Sequence, residues 1–153
     1  MAISTNDLKD KFGAQDLVTV VTPGAIAAAA FSTAGDVVSG GWTNTDDAPI
    51  GEFVLKCTFS VAPTALEPVN LYVRPMNLQS SNDPPQPDAT YTHSFIGVFV
   101  VDAVTTAQYL HATAVLPNLI TSQVYEFYIE NGTGQTISAG WQMWVTPKTV
   151  GPA

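Results

Sequence analysis

The sequence has little cysteine and little charge, and both shortages narrow the class of protein. Its single cysteine, Cys57, excludes an internal disulfide and leaves too few thiols for a typical structural zinc site. Only 12% of the residues are charged, whereas 46% are apolar. This charged share is about half of the usual one. We therefore expect much of the apolar surface to be buried, either in an all-β core or against permanently associated neighbours.

Basic residues, long apolar runs and targeting signals are also scarce. Five scattered Lys and Arg residues face 13 acids, so the net charge is −8 and binding of nucleic acid is disfavoured. No stretch reaches about 18 uninterrupted apolar residues, so no membrane span is expected. The start, MAISTNDLKDKF, lacks the basic and apolar regions of a secretory signal. We expect a protein that stays in a cytosol or in a particle assembled there.

Recognisable catalytic motifs are missing as well. The sequence has no P-loop, GxSxG elbow or GxGxxG element. The two histidines, His93 and His111, belong to no spaced ligand motif, and the parity of His111 predicts that it faces outward. The paired carboxylates lie in loops where aspartate commonly serves turns: Asp46 with Asp47, and Asp83 with Asp88. We predict no catalytic residue, no cofactor and no metal site, and a hydrolase using these aspartates is the least favoured alternative.

Short alternating segments separated by turn residues dominate the rest of the chain. They predict an antiparallel two-sheet β-sandwich with jelly-roll topology, and an immunoglobulin-like sandwich is the alternative. Residues 17–153 are predicted to form this single domain. The predicted strands cover residues 17–21, 26–31, 36–39, 52–61, 70–74, 94–102, 108–116, 123–130 and 136–146.

Residues 1–16 are the charge-dense part of the chain and are predicted to form an N-terminal arm. Ser4 or Thr5 is a candidate cap for one short helical turn that runs to about Phe12. The arm is expected either to be solvated or to become ordered against a neighbouring subunit. Its candidate contact residues are Asp7, Lys9 and Lys11.

The connection from Met76 to Thr92 contains three prolines, at positions 84, 85 and 87. Because proline removes a backbone donor and favours extended chain, we expect an ordered contact loop here. The candidate contact residues of this proline-rich loop are Asn82, Asp83, Pro85 and Asp88.

The closing stretch, residues 121–152, reads as two alternating strands joined by a glycine-rich turn, which predicts a hairpin. Tyr128 and Trp144 lie on the polar sides of these strands, and Trp42 lies in a polar, glycine-rich segment. Such rings either contact a partner or are buried by another part of this chain. All three are candidate interface residues.

The second half of the chain resembles a family of small virion proteins of tailed bacteriophages. The strings EFYIENGTGQTISAGW and VTPKTVGP carry this resemblance most specifically. It implies a capsid decoration, or cement, protein: a β-sandwich that sits on the head lattice and bridges neighbouring capsid subunits. The implied partners are the major capsid protein and other copies of this chain, on the capsid surface of a particle assembled in the host cytoplasm.

Two other functions remain open from the sequence. One is a tail or baseplate accessory protein of the same virion. The other is a carbohydrate-binding module whose stacking platforms are Trp42, Tyr128 and Trp144.

Overall fold

The computed structural model describes residues 8–76, 83–92 and 94–152. Its regular structure is β-strand, apart from one turn of 3-10 helix at Ala34–Asp36. The strands are β1 (Leu8–Phe12), β2 (Asp16–Leu17), β3 (Trp42–Thr43), β4 (Ile50–Cys57), β5 (Pro68–Met76), β6 (Phe95–Val100), β7 (Gln108–Val115), β8 (Val124–Asn131) and β9 (Gln142–Pro152).

The strands form two antiparallel sheets. Sheet 1 has the order β1-β9-β4-β7, and β2 also pairs with β9. Sheet 2 has the order β3-β8-β5-β6. The predicted all-β, two-sheet antiparallel sandwich is confirmed, while the jelly-roll topology stays a prediction.

Strict alternation along the strands builds the core between the sheets. In β4, Phe53, Leu55 and Cys57 are buried while the residues between them turn outward. Phe53 meets Phe127 of sheet 2 edge-on, with ring centroids 4.9 Å apart. Cys57 is a buried core thiol, and burial raises its pKa to about 12.

The predicted closing hairpin is wrong, because β8 and β9 lie in different sheets. Between them the chain crosses the end of the sandwich, where Ile137 makes single bridges to Ile26 and Phe59. The buried Asn131 amide supports this crossing by donating to the carbonyls of Ile26, at 3.0 Å, and Gln135, at 2.7 Å. Alternation identified the two strands but carries no information about which strand each one pairs with.

The predicted helical turn of the N-terminal arm is also wrong for the described part. Residues 8–12 form β1, which pairs in register with the end of β9 from Phe12↔Lys148 to Leu8↔Pro152. Their backbone hydrogen bonds are therefore supplied by a distant strand, which local propensity does not reveal. Asp7 lies outside the described residues.

The three strands predicted between residues 17 and 39 are mostly irregular chain, which we call the strap (residues 18–38). The strap begins beside β9, where the Val18 amide donates to the Met143 carbonyl at 2.9 Å, and later bridges to Glu130 of sheet 2 through Phe31. Within the strap, the Asp36 side chain takes the place of strand-to-strand backbone hydrogen bonds. Its carboxylate accepts from the amides of Gly24 and Thr33, each at 2.7 Å. A side chain that bonds backbone donors in this way favours turns over strands.

Replacing Phe53 by alanine is expected to lower the free energy of unfolding by about 3–5 kcal/mol, because a ring at the centre of both sheets is lost. Tyr109→Ala, on the same sheet but with the residue 67% exposed, is the control and should change it by less than about 0.5 kcal/mol. Chemical denaturation of both variants measures this, and equal losses would contradict the assigned core.

Candidate interaction faces

The strap of the same chain covers the centre of the outer face of sheet 2, while Val98 and Val100 on its edge strand β6 stay exposed. Tyr72 and Tyr128 point outward from β5 and β8, yet they are only 4% and 0% exposed. They form a small apolar cluster with Val37 and Phe31 of the strap. The rings of Phe31 and Tyr72 lie 5.2 Å apart. The strap thus supplies the cover that two outward aromatic rings require.

Both tyrosine hydroxyls beneath the strap have acidic partners. Tyr128 donates to Glu126 and Tyr72 donates to Glu130, each at 2.7 Å. Burial and the hydrogen bond to Glu130 raise the pKa of Tyr72 to about 12, and burial with the neighbouring Glu126 raises the pKa of Tyr128 as well. These rings are therefore satisfied within the chain.

Two of the three predicted interface aromatics are consequently inside the protein. Tyr128 is covered by the strap, and Trp42, 7% exposed, packs in the core and donates its indole N–H to Asp16 at 2.9 Å. Trp42 also stacks on Tyr125, with ring centroids 6.2 Å apart. As residues accessible to a partner these two predictions are corrected: parity and polar neighbours did not reveal the chain segments that bury them.

The outer face of sheet 1 has a different character, and we call it the open face. It consists of the outward side chains of β4, β7 and β9. Among these side chains in the described chain, none is buried. Trp144 lies half-buried between its strand partners Leu17 and Val54. The members of the open face are Ile50, Glu52, Val54, Lys56, Tyr109, His111, Thr113, Val115, Gln142, Trp144, Thr146 and Lys148.

Charges near the centre of the open face are paired with one another. Glu52 accepts from Thr113 at 2.6 Å and contacts His111 at 2.9 Å and Lys148 at 3.7 Å. Partial burial raises the pKa of Glu52, but these hydrogen bonds and the charges of His111 and Lys148 outweigh it, so the pKa is lowered overall. Pairing leaves Trp144, Val54 and Tyr109 as the main apolar contact groups.

The described part of the proline-rich loop is anchored to sheet 2. The Arg74 guanidinium donates to the Pro84 carbonyl at 2.6 Å and to Glu126 at 2.9 Å. Of the predicted contact residues here, Pro85 and Asp88 are exposed and Asp83 is half-buried, whereas Asn82 lies outside the described residues. His93 also lies outside them.

An apolar groove of about 300 Å³ opens beside this loop, where the edges of β6 and β7 diverge. Sequence analysis did not find it, because its walls come from segments far apart in the chain. Periodicity reports which face of a strand is apolar but not where two sheets separate. The groove is lined by Val73, Pro75, Pro84, Ser94, Phe95, Ile96, Val115 and Pro117.

The predicted contact residues Lys9 and Lys11 are exposed on a two-stranded ribbon, which we define as β1 with residues 148–152 of β9. β4 begins at Ile50, opposite Lys148. Beyond that point the described chain provides no third strand beside the ribbon.

The comparisons with known proteins add no assignment: neither a protein-family model nor a curated protein matches this sequence. Within residues 8–76, 83–92 and 94–152, no group of three or more His, Cys, Asp or Glu side chains is arranged to hold a metal ion. In the same residues no helix is long and apolar enough to cross a membrane.

The buried tyrosines predict a loss of stability at alkaline pH. The pKa values of Tyr72 and Tyr125 are raised from 10.0 to about 12, for both of them first by burial. Between these pH values the unfolded chain loses protons that the folded chain keeps, so the free energy of unfolding should fall as pH rises from about 10 to about 12. Urea unfolding across this range measures the slope, and Tyr72→Phe should make it shallower. A slope unchanged by that substitution would contradict the assignment.

Proposed function

We propose that this protein is a non-enzymatic structural protein of a tailed-phage virion, which decorates the capsid and stabilises it by bridging neighbouring capsid subunits. The observation that supports this proposal most is the asymmetry of the two outer faces. The strap covers the centre of one and leaves Val98 and Val100 exposed at its edge, whereas the other keeps Trp144, Val54 and Tyr109 at the surface of a regular sheet. A partly exposed tryptophan on a broad sheet is typical of an interface anchor.

The size of the open face fits a contact that is weak by itself. Three strands of about eight residues cover roughly 15 Å by 25 Å, or about 375 Å². A stable pairwise complex buries about 800 Å² on each partner. A lattice tolerates this shortfall because it offers many equivalent sites, which a protein present in many copies occupies by mass action even at modest affinity. A face of this size is therefore suited to a protein that binds a repetitive surface in many copies.

Decoration stabilises a particle by mass action. A protein that binds the assembled lattice and not its dissociated subunits lowers the free energy of the assembled state. The internal pairing of Glu52 with His111 and Lys148 suits this role, because bringing neutralised groups to an interface costs less desolvation than burying free charges.

The alternatives receive less support. A tail or baseplate accessory protein would use the same open face, and immunogold labelling of virions distinguishes tail from head. A carbohydrate-binding module retains only Trp144 of its three proposed platforms, since Trp42 and Tyr128 are buried. A hydrolase using Asp46, Asp47, Asp83 or Asp88 gains no positioned catalytic partner from the described contacts.

Trp144→Ala is expected to weaken binding to capsids that lack the protein by about tenfold or more, because it removes the central ring of the open face. The matched control is Leu66→Asn, which replaces a 79% exposed apolar residue outside this face. Leu66 has a φ of 71°, which asparagine tolerates. Co-sedimentation of purified protein with capsids measures the affinity, and the control should bind like the native chain.

Two results would contradict the proposal. One is native capsid affinity in Trp144→Ala, and the other is a collapsed melting temperature in that variant, which would make Trp144 a core residue. Virions that lack the protein provide the independent test. Unchanged surface density in electron micrographs and unchanged heat resistance would rule out capsid decoration.

A further inference from the structure

The charges of this chain are segregated between the ribbon and the rest of the protein. Three of the five basic residues, Lys9, Lys11 and Lys148, lie in the ribbon, where Asp10 is the one acid. The ribbon therefore carries a net charge of +2 in a chain whose net charge is −8. Like charges on the body repel one another, whereas a basic ribbon is attracted to an acidic body of the same kind.

Two of the ribbon lysines remain free for such an attraction. Lys148 is paired with Asp10 at 2.8 Å, but among the described residues no carboxylate forms an ion pair with Lys9 or Lys11. These two side chains share one face of β1 because they are two residues apart. On the opposite face Phe12 is 60% exposed and Val150, its neighbour on β9, is 54% exposed.

The ribbon also lacks a packing partner along part of its length. A two-stranded ribbon is at best marginally stable in water, and it usually needs a third strand or an apolar surface. Since side chains alternate between the two faces of a strand, a ribbon that enters a groove edge-first presents Lys9 and Lys11 to one wall. To the other wall it presents Phe12 and Val150 together with the paired Lys148 and Asp10. The surface that suits the ribbon is thus apolar with an acidic rim.

The groove beside the proline-rich loop supplies the apolar part of such a surface, since its lining is apolar apart from Ser94. Pro84 of the loop lines one wall, and the same loop carries Asp88, while Arg74 is paired with Glu126. Asp88 lies at the surface, where its carboxylate accepts from the amides of Thr90 and Tyr91.

The strand register places the ribbon and the groove at the same end of the sandwich. Val115 in the groove lies opposite Ile50, which lies opposite Lys148, which lies opposite Phe12 of the ribbon. Two strand spacings, about 10 Å, separate β7 from β9. A two-fold axis at this end brings each ribbon to the groove of the other copy, which closes the assembly.

We propose that the ribbon of one copy docks in the groove of a second copy, so that the chain forms a reciprocal dimer through Lys9 and Lys11 against the acidic loop. Pairing of ribbon with ribbon is disfavoured because it brings two net charges of +2 together. The dimer is measured without capsids, whereas Trp144→Ala, which lies outside the groove and the ribbon, tests the virion role. The failure of one proposal is therefore distinguishable from the failure of the other.

Sedimentation velocity of the full chain over a range of concentrations tests this dimer. The native protein should dimerise, and raising the salt from about 0.05 M to about 0.5 M should weaken the dimer because the attraction is screened. Lys11→Glu should weaken it about tenfold. Lys56→Glu is the matched control, because it makes the same charge change on β4 about 20 Å from the Ile50 end of that strand, and it should leave the dimer unchanged.

Two further variants test the groove side. The exchange Lys11→Glu with Asp88→Lys should restore part of the lost affinity, since the ion pair is reversed. Val115→Ser, which changes a 72% exposed groove residue, should weaken the dimer without altering charge. Melting temperatures confirm that each variant is folded. A chain that stays monomeric at about 100 µM, or equal dimerisation of Lys11→Glu and Lys56→Glu, would overturn the proposal.

Discussion

The burial of Tyr72 and Tyr128 by the strap is the constraint on which the rest of the structure depends. Without a covering segment, these two large rings on the outer side of sheet 2 would be exposed to water. Residues 18–38 bury them through Phe31 and Val37. Asp36 stabilises the strap in turn, because its buried carboxylate bonds the backbone of Gly24 and Thr33. With the centre of sheet 2 covered in this way, the outer face of sheet 1 is the broader uncovered sheet surface, and sheet 2 exposes Val98 and Val100 at its edge.

The same constraint explains how far sequence alone predicts this fold. The alternation of Phe53, Leu55 and Cys57 identified β4 and its buried side, and the parity of His111 correctly placed it outward. Strand pairing is a tertiary property, so the apparent hairpin of residues 121–152 proved to be two strands of different sheets. The strap was predicted as strands instead, because the sequence pattern does not show that hydrogen bonds to the Asp36 side chain replace strand-to-strand backbone hydrogen bonds.

The predicted contact residues also divide into those that the sequence placed correctly at the surface and those that distant segments cover. Trp144 and the lysines of β1 are accessible, whereas Trp42 and Tyr128 are covered by parts of the chain remote in sequence. The groove at the end of the sandwich combines residues from β5, β6 and the segment around Val115, which no linear pattern joins. Parity therefore finds the side of a sheet on which a ring lies, and only the tertiary structure shows what else occupies that side.

The few charged residues of the chain are distributed unevenly over the surface of the protein. On the open face Glu52 is paired with His111 and Lys148 while Lys56 has no ion pair among the described residues, and the ribbon carries two further lysines without ion pairs there, Lys9 and Lys11. Apolar and neutral contact on a broad sheet suits a lattice, and charge attraction at one end suits a neighbour of the same acidic kind. The open face and the two proposed dimer surfaces adjoin one another, since Val115 belongs to the open face and the groove and Lys148 to the open face and the ribbon.

The central claim is that the open face, and not the strap-covered face, contacts the capsid. A cryo-EM reconstruction of decorated capsids at a resolution that separates the two sheets tests it most directly. If the open face is the contact surface, sheet 1 faces the capsid, with Trp144 within contact distance of a capsid subunit. A reconstruction in which the strap and sheet 2 face the capsid while Trp144 points to solvent would contradict it.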